Sequence, residues 1–176
     1  AVSQVAAHLD LRPALALRVN PDVGAGGHAK ISTGGSATKF GVPIASAPAI
    51  YAAAAADPFV RMRGLACHIG SQITELGGFE TAFGLMRGLV EKLRGSGLTV
   101  DSLDLGGGLG VPYFHQPDPP GPEAFAAVAA RAVGALGVDF IFEPGRVLTA
   151  NAGVLLASVI HVNARPDGRR FLVLDA

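Results

Sequence analysis

Leu103-Asp104-Leu105-Gly106-Gly107-Gly108-Leu109-Gly110 follows directly on an apolar run that begins at Val100. The run ends in an acidic residue and then in three consecutive glycines. Without side chains, successive backbone N–H groups can converge on one point, and such a concavity holds anions, most often a phosphate. The same glycines would equally serve a tight strand-to-helix turn that binds nothing. The flanking chain separates the two readings.

Val100 into the glycines reads as a strand, and the segment from Pro122 to Leu136 as a helix burying Phe125, Ala129, Ala132 and Leu136. Upstream, Gly64 to Ser71 reads as a strand ending in His68-Ile69-Gly70-Ser71. Its helix places Phe79, Phe83, Met86, Val90 and Leu93 on one face and stops at Gly95 and Gly97. Downstream, Val138 to Phe142 is a strand that runs into Glu143-Pro144-Gly145-Arg146. His68, Gly106 and Glu143 therefore recur 38 and 37 residues apart, each where an apolar strand meets its loop. A strand–helix unit repeating at that length indicates a parallel α/β array with its functional groups on one rim.

The N-terminal third fits the same array. Residues 1–9 read as the tail of a helix, with Val2, Val5, Ala6 and Leu9 at helical spacing. Ala14 to Asn20 is a buried strand that contributes Arg18, 50 residues before His68. The larger step is absorbed by the polar, glycine-rich segment from Pro21 to Pro43, which contains Ile31-Ser32-Thr33-Gly34; long loops of this kind are usually functional. Ser46 to Ala56 is an alanine-rich helix ended by Asp57-Pro58. Beyond Asn151 the pattern changes. Val154 to Val162 is β-rich, Asp167-Gly168 is a hairpin turn, and Phe171 to Leu174 is the returning strand. The expected fold is thus α/β: about four parallel strands with helices over residues 1–150, then the first strands of an antiparallel β-domain over 151–176. Four parallel strands cannot close a barrel, which takes eight. The chain is expected to be an internal portion of a larger enzyme or to pair with another chain.

Composition removes several function classes. The chain is 49% hydrophobic and 16% charged, so a packed core is affordable and disorder is not expected. Its 14 basic and 14 acidic residues cancel and form no Lys/Arg cluster, which leaves a nucleic-acid or anionic-membrane partner without electrostatic support. Cys67 is the single cysteine, so neither an intramolecular disulfide nor a cysteine metal site is expected. No apolar run reaches the length of a membrane span and no signal peptide is evident, so a cytoplasmic protein is expected.

The strand ends supply Arg18, His68 with Ser71, Gly106 to Gly108, and Glu143 with Arg146. One histidine and one carboxylate are too few for a metal centre. Ser71 lacks the Gly-x-Ser-x-Gly elbow of a hydrolase. Val111 stands where a dinucleotide fingerprint needs its third glycine. A phosphate-bearing organic cofactor uses the set better. The glycine amides and Arg146 would grip the phosphate, Glu143 would pair with a protonated ring nitrogen, and His68 would lie against the ring. The bland alternatives are a satisfied core histidine at His68 and a solvated loop carboxylate at Glu143. Arg18 within an apolar run would need a partner if buried. His8, His115 and His161 stand alone and carry no assigned role.

These residues also carry a family resemblance. Arg18-Val19-Asn20-Pro21-Asp22-Val23, His28 through Ile31-Ser32-Thr33-Gly34 to Lys39-Phe40-Gly41, His68-Ile69-Gly70-Ser71-Gln72-Ile73, the Leu105–Gly110 glycine stretch, Glu143-Pro144-Gly145-Arg146 and Asn151-Ala152-Gly153 occur in one order over nearly the whole chain. Together they resemble the fold type III pyridoxal-phosphate-dependent decarboxylases, which combine a TIM-type barrel with a β-domain. The His-Ile-Gly-Ser-Gln-Ile and Ile-Ser-Thr-Gly stretches point to the diaminopimelate decarboxylase branch. The resemblance implies a lyase of bacterial lysine biosynthesis that converts meso-diaminopimelate to L-lysine and CO2, with pyridoxal 5'-phosphate as cofactor and a homodimer as the full-length form. It implies that His68 stacks on the pyridoxal ring and that Ser71 helps to hold the phosphate. Gly106, Gly107 and Gly108 would supply amides to the phosphate, joined by Pro144-Gly145-Arg146. Glu143 would bond to the pyridine nitrogen, Arg146 would also approach the substrate carboxylate, and Arg18 would sit close to the cofactor.

Some of the family's motifs are not in the chain. None of Lys30, Lys39 and Lys92 occupies the motif of the Schiff-base lysine, and Lys39 belongs to the Lys-Phe-Gly loop. The Cys-Glu-Ser-Gly-Asp motif of the β-domain is missing too, and Gly27 stands where threonine is usual. The chain is expected to be the second half of the barrel plus the first β-domain strands, inactive in isolation. The other readings are a decarboxylase for another basic amino acid, of the ornithine or arginine type, and a non-catalytic phosphate-binding or interaction module.

Overall fold

The computed structural model describes residues 1–24, 40–113 and 118–176. The elements run α1 (Val2–His8), β1 (Ala14–Asn20), β2 (Val42–Pro43), α2 (Ala47–Ala55), β3 (Arg61–Ala66), α3 (Gly77–Gly95), β4 (Ser102–Asp104), α4 (Pro122–Val133), β5 (Asp139–Ile141), α5 (Arg146–Thr149), β6 (Val159–Ala164) and β7 (Arg170–Leu174). The first five strands form one parallel sheet in the order β2-β1-β3-β4-β5, and β6 pairs with β7 antiparallel. Four of the parallel strands are those the sequence predicts. The fifth, β2, pairs its two residues with Val19 and Asn20 inside what reads as loop. The whole segment from His28 to Lys39, with Lys30 and Gly27, lies outside the described residues, as does His115.

Helices pack on one face of the sheet. The apolar positions of α3 give that layer its centre: Phe79, Phe83, Met86, Val90 and Leu93 are all buried, as their spacing predicts. Glu80 in its first turn and Lys92 and Arg94 in its last complement the helix dipole. The Arg94 guanidinium donates to the carbonyls of Val100 and Leu136, tying the end of α3 to the entries of β4 and β5. From α4, Val128, Ala129 and Val133 are buried, while Phe125 packs edge-on to Phe79 with ring centroids 4.8 Å apart. Phe125 also meets Phe142 at 5.9 Å, so the aromatic cluster extends to the loop end of β5.

Among the described residues, no helix covers the other face of the sheet. Along β1, Leu15, Leu17 and Val19 turn toward the helices, whereas Ala14, Ala16 and Arg18 are exposed. Every residue of β5 is exposed as well, Ile141 at 47%. No helix of the described residues is long and apolar enough to cross a membrane.

The helix expected over residues 1–9 is present as α1; only its Ala6 is buried, while Val2, Val5 and Leu9 are exposed, because the helix touches the body through one position and none of the described residues covers its apolar stripe. The β-rich run from Val154 forms strand only from Val159, and Leu156 is 94% exposed. β-branched residues form strand where a ladder partner is present, and β7 reaches no further than Val159.

Candidate active site

Parallel pairing sets the strand ends in register. Arg18 pairs with Ala66, Ala66 with Asp104, and Asp104 with Ile141. Two residues further along each strand, Asn20, His68, Gly106 and Glu143 make up the next row. The ladder continues into it: Cys67 N–H donates to the Asp104 carbonyl, Leu105 N–H to Ile141, and Glu143 N–H to Gly106 at 2.7 Å. The near-equal spacing of His68, Gly106 and Glu143 is therefore a true register. Arg18 sits one row lower than the sequence reading placed it, and Asn20 takes the rim position. Arg18 is also exposed, not buried, because it faces the side of the sheet that no helix among the described residues covers; its guanidinium lies 5.3 Å from the centre of the Phe40 ring.

The three glycines let these ends approach. Gly106 and Gly108 adopt φ of +66° and +99°, in the region that side chains disfavour. Gly107 has no such φ, yet a Cβ there would stand 1.8 Å from the Glu143 carbonyl oxygen. One at Gly108 would stand 1.9 Å from the Gly70 carbonyl oxygen. The glycine stretch is thus a seam at which the loops after β3, β4 and β5 meet backbone to backbone. Two of its amides are used within the chain: Gly106 N–H donates to Asp104 Oδ1 at 2.8 Å, and Gly107 N–H to His68 Nδ1 at 3.3 Å.

That second bond defines the histidine. A ring nitrogen that accepts carries no proton, so the neutral ring holds its hydrogen on Nε2. Burial, helped by the positive charge of Arg18, pulls the His68 pKa below 6.5, against the opposing charges of Glu143 and Asp104. His68 is a half-buried, neutral imidazole at neutral pH. Neighbouring Cys67 is buried, and burial followed by the charge of Asp104 pushes its thiol up to about 12, so it stays protonated.

Glu143, Pro144, Gly145 and Arg146 are exposed on the rim after β5, and Gly145 turns the chain at φ +59° into α5. Ser71 lies half-buried in the loop after β3. The site residues named from sequence therefore converge on three adjacent strand ends, with Arg18 just below. Three further residues belong to the arrangement and received no role from sequence: Asn20, whose Oδ1 accepts from Asp22 N–H; Asp104, which braces Gly106; and Gln72, whose carboxamide reaches both Val111 and Arg146. Each stands inside a quoted motif, and Asn20 and Asp104 are polar side chains at or near the end of an apolar run. A cleft of about 420 Å³ is lined by Val111, Pro112, Tyr113, Ala150 and Asn151.

The donor set of one guanidinium, backbone amides, a neutral imidazole and an exposed carboxylate suits a phosphorylated, nitrogen-containing ring. Comparison with known proteins agrees. Residues 1–150 match the family described as pyridoxal-dependent decarboxylase, pyridoxal binding domain. The chain is 44% identical over 176 residues to the diaminopimelate decarboxylase of Zymomonas mobilis, covering 99% of this chain and 42% of that protein. It is 42% identical to the diaminopimelate decarboxylase of Pseudomonas aeruginosa, with the same two coverages. The crystal structure of diaminopimelate decarboxylase from Helicobacter pylori complexed with L-lysine superposes with a TM-score of 0.87 at 29% identity, covering 99% of this chain and 43% of that one. The chain thus spans about 42% of the length of the curated relatives it matches.

Proposed function

The chain belongs to the pyridoxal-dependent decarboxylases, and on that premise we propose that it is the cofactor-gripping part of a diaminopimelate decarboxylase, which converts meso-diaminopimelate to L-lysine and CO2. Residues 1–150 are read as the second half of a (β/α)8 barrel and residues 151–176 as the start of a β-domain. In support, all five barrel-type strands are parallel, their functional groups share one rim, and β5 is left exposed at the edge. A homodimer, the form the family resemblance implies, and a cytoplasmic location belong to the same proposal.

The observation that carries the reading is the single row of His68, Gly106 and Glu143, with Arg146 beside it. Arg146 and the Gly108 amide would hold the phosphate, joined by Ser71 and Gly145; the Gly106 and Gly107 amides, which donate to Asp104 and His68, brace the loop. Neutral His68 would lie against the ring, where a charged imidazolium would repel a protonated pyridine. Glu143 keeps a proton on the ring nitrogen by pairing with it. Bound pyridoxal phosphate supplies an electron sink for the charge left when carbon dioxide departs from the substrate. Arg146 also orients the substrate carboxylate, with Arg18 adding positive charge from the row below. None of Lys30, Lys39 and Lys92 stands in a Schiff-base motif, and Lys92 lies in α3. Residues 1–176 expressed alone are therefore expected to bind the cofactor weakly and to show no turnover.

The test is to incubate the naturally expressed protein with pyridoxal phosphate and meso-diaminopimelate, L-ornithine or L-arginine in turn. Lysine and CO2 from meso-diaminopimelate alone support the proposal. Decarboxylation of ornithine or arginine instead refutes the substrate, and no product from any of them refutes the catalytic reading.

A further inference from the structure

Gln72 is the one non-glycine residue between β3 and α3 with a left-handed backbone among the described residues, at φ +55°. That conformation is uncommon for a glutamine and persists where surrounding contacts enforce it. The contacts are specific. Its Nε2 donates to the Val111 carbonyl at 2.7 Å, and its Oε1 accepts from Val111 N–H at 3.3 Å. The carboxamide therefore pairs with Val111 as a strand residue would. It extends a backbone ladder in which Ile73 N–H donates to Gly108 and Gly110 N–H donates to Ile73, both at 2.9 Å. The same Oε1 also accepts from Arg146 Nη1 at 3.3 Å. One side chain thus joins the loops after β3, β4 and β5.

The chemistry of the tether matters as much as its position. A carboxamide offers an acceptor to the guanidinium and a donor to the Val111 carbonyl, and it carries no charge. A carboxylate in its place would neutralise Arg146 and compete with any anion brought to it. We propose that Gln72 is a positioning residue, which aims Arg146 at the phosphate while leaving its positive charge uncompensated. The proposal rests on Arg146 being a phosphate ligand, as in the preceding reading.

The test is a double-mutant cycle on the naturally expressed protein as apoprotein, read by equilibrium dialysis with pyridoxal phosphate and with pyridoxal. R146A and Q72M should each weaken pyridoxal phosphate binding about tenfold or more, the scale of a hydrogen bond to a charged group. The double variant should bind no more than about twofold more weakly than R146A, because Q72M acts through the arginine. Pyridoxal, which lacks the phosphate, should bind all of them alike, a pattern that general loosening of the loops does not produce. Q72E keeps the shape of the side chain and serves where Q72M does not fold; it should also lose phosphate affinity while leaving pyridoxal affinity unchanged. Additive losses in the cycle, equal losses for pyridoxal, or wild-type affinity in Q72M or Q72E would overturn the positioning role. Wild-type phosphate affinity in R146A would overturn the phosphate assignment on which it rests.

Discussion

Gly107→Ala is the sharpest perturbation of the rim. The added Cβ would lie 1.8 Å from the Glu143 carbonyl oxygen, about 1.2 Å inside the closest approach that such atoms tolerate. Both partners are backbone, so neither can rotate away. Gly107 needs no left-handed φ, which isolates the steric effect from conformational strain. Relief requires the ends of β4 and β5 to separate by about 1 Å, which breaks the 2.7 Å bond from Glu143 N–H to the Gly106 carbonyl. Overpacking costs about 1–3 kcal/mol and the lost hydrogen bond about 1 kcal/mol, together about 2–4 kcal/mol. Urea unfolding followed by circular dichroism should show that loss. Because Glu143 moves with its carbonyl, turnover of the natural protein should fall about 10²-fold, as expected for a catalytic group displaced by 1 Å. A stability within about 0.5 kcal/mol of wild type, with unchanged turnover, would refute the idea that the glycines exist to let these strand ends touch.

Four other outcomes are expected. Gly88→Ala, on the exposed side of α3 with nothing within 4 Å of the new Cβ, should stabilise the protein by about 0.5–1 kcal/mol in the same urea assay. The NMR midpoint of the His68 ring should lie below 6.5; Arg18→Met should raise it and Glu143→Gln should lower it further, from the signs of the two charges. Since folding depresses that pKa, the stability linked to His68 is complete above about pH 6.5 and is lost as pH falls from there through the folded-state value, which thermal melts at descending pH should show and His68→Asn should abolish. Glu143→Gln should reduce kcat about 10²-fold or more while changing pyridoxal phosphate affinity less than tenfold, because it removes the partner of the ring nitrogen and leaves the phosphate grip.

Much of this fold and site is legible in the sequence. Helix α3 was readable because five large apolar residues at steps of three and four leave no other burial pattern. The rim was readable because the strand–helix units have nearly equal lengths, so His68, Gly106 and Glu143 fall in one row. β2 was not readable: two residues carry no periodicity, and Val42-Pro43 is a strand only because Val19 and Asn20 offer partners. The height of Arg18 was misjudged because an apolar run shows where a strand lies but not its register with the next strand. The roles of Gln72 and Asp104 depend on contacts made across 74 and 2 positions of sequence, through side-chain geometry that spacing does not encode. The spacing of Val2, Val5, Ala6 and Leu9 marked α1 as a helix, but periodicity reports an amphipathic helix without naming what covers it.

The central claim is that three aligned strand ends grip pyridoxal phosphate, and a structure of the natural protein crystallised with that cofactor tests it most directly. The account predicts the phosphate on Arg146 and the Gly108 amide, the Glu143 carboxylate within hydrogen-bond distance of the pyridine nitrogen, and the His68 ring against the pyridine face. A cofactor bound elsewhere, or bound here with its nitrogen turned away from Glu143, would contradict it.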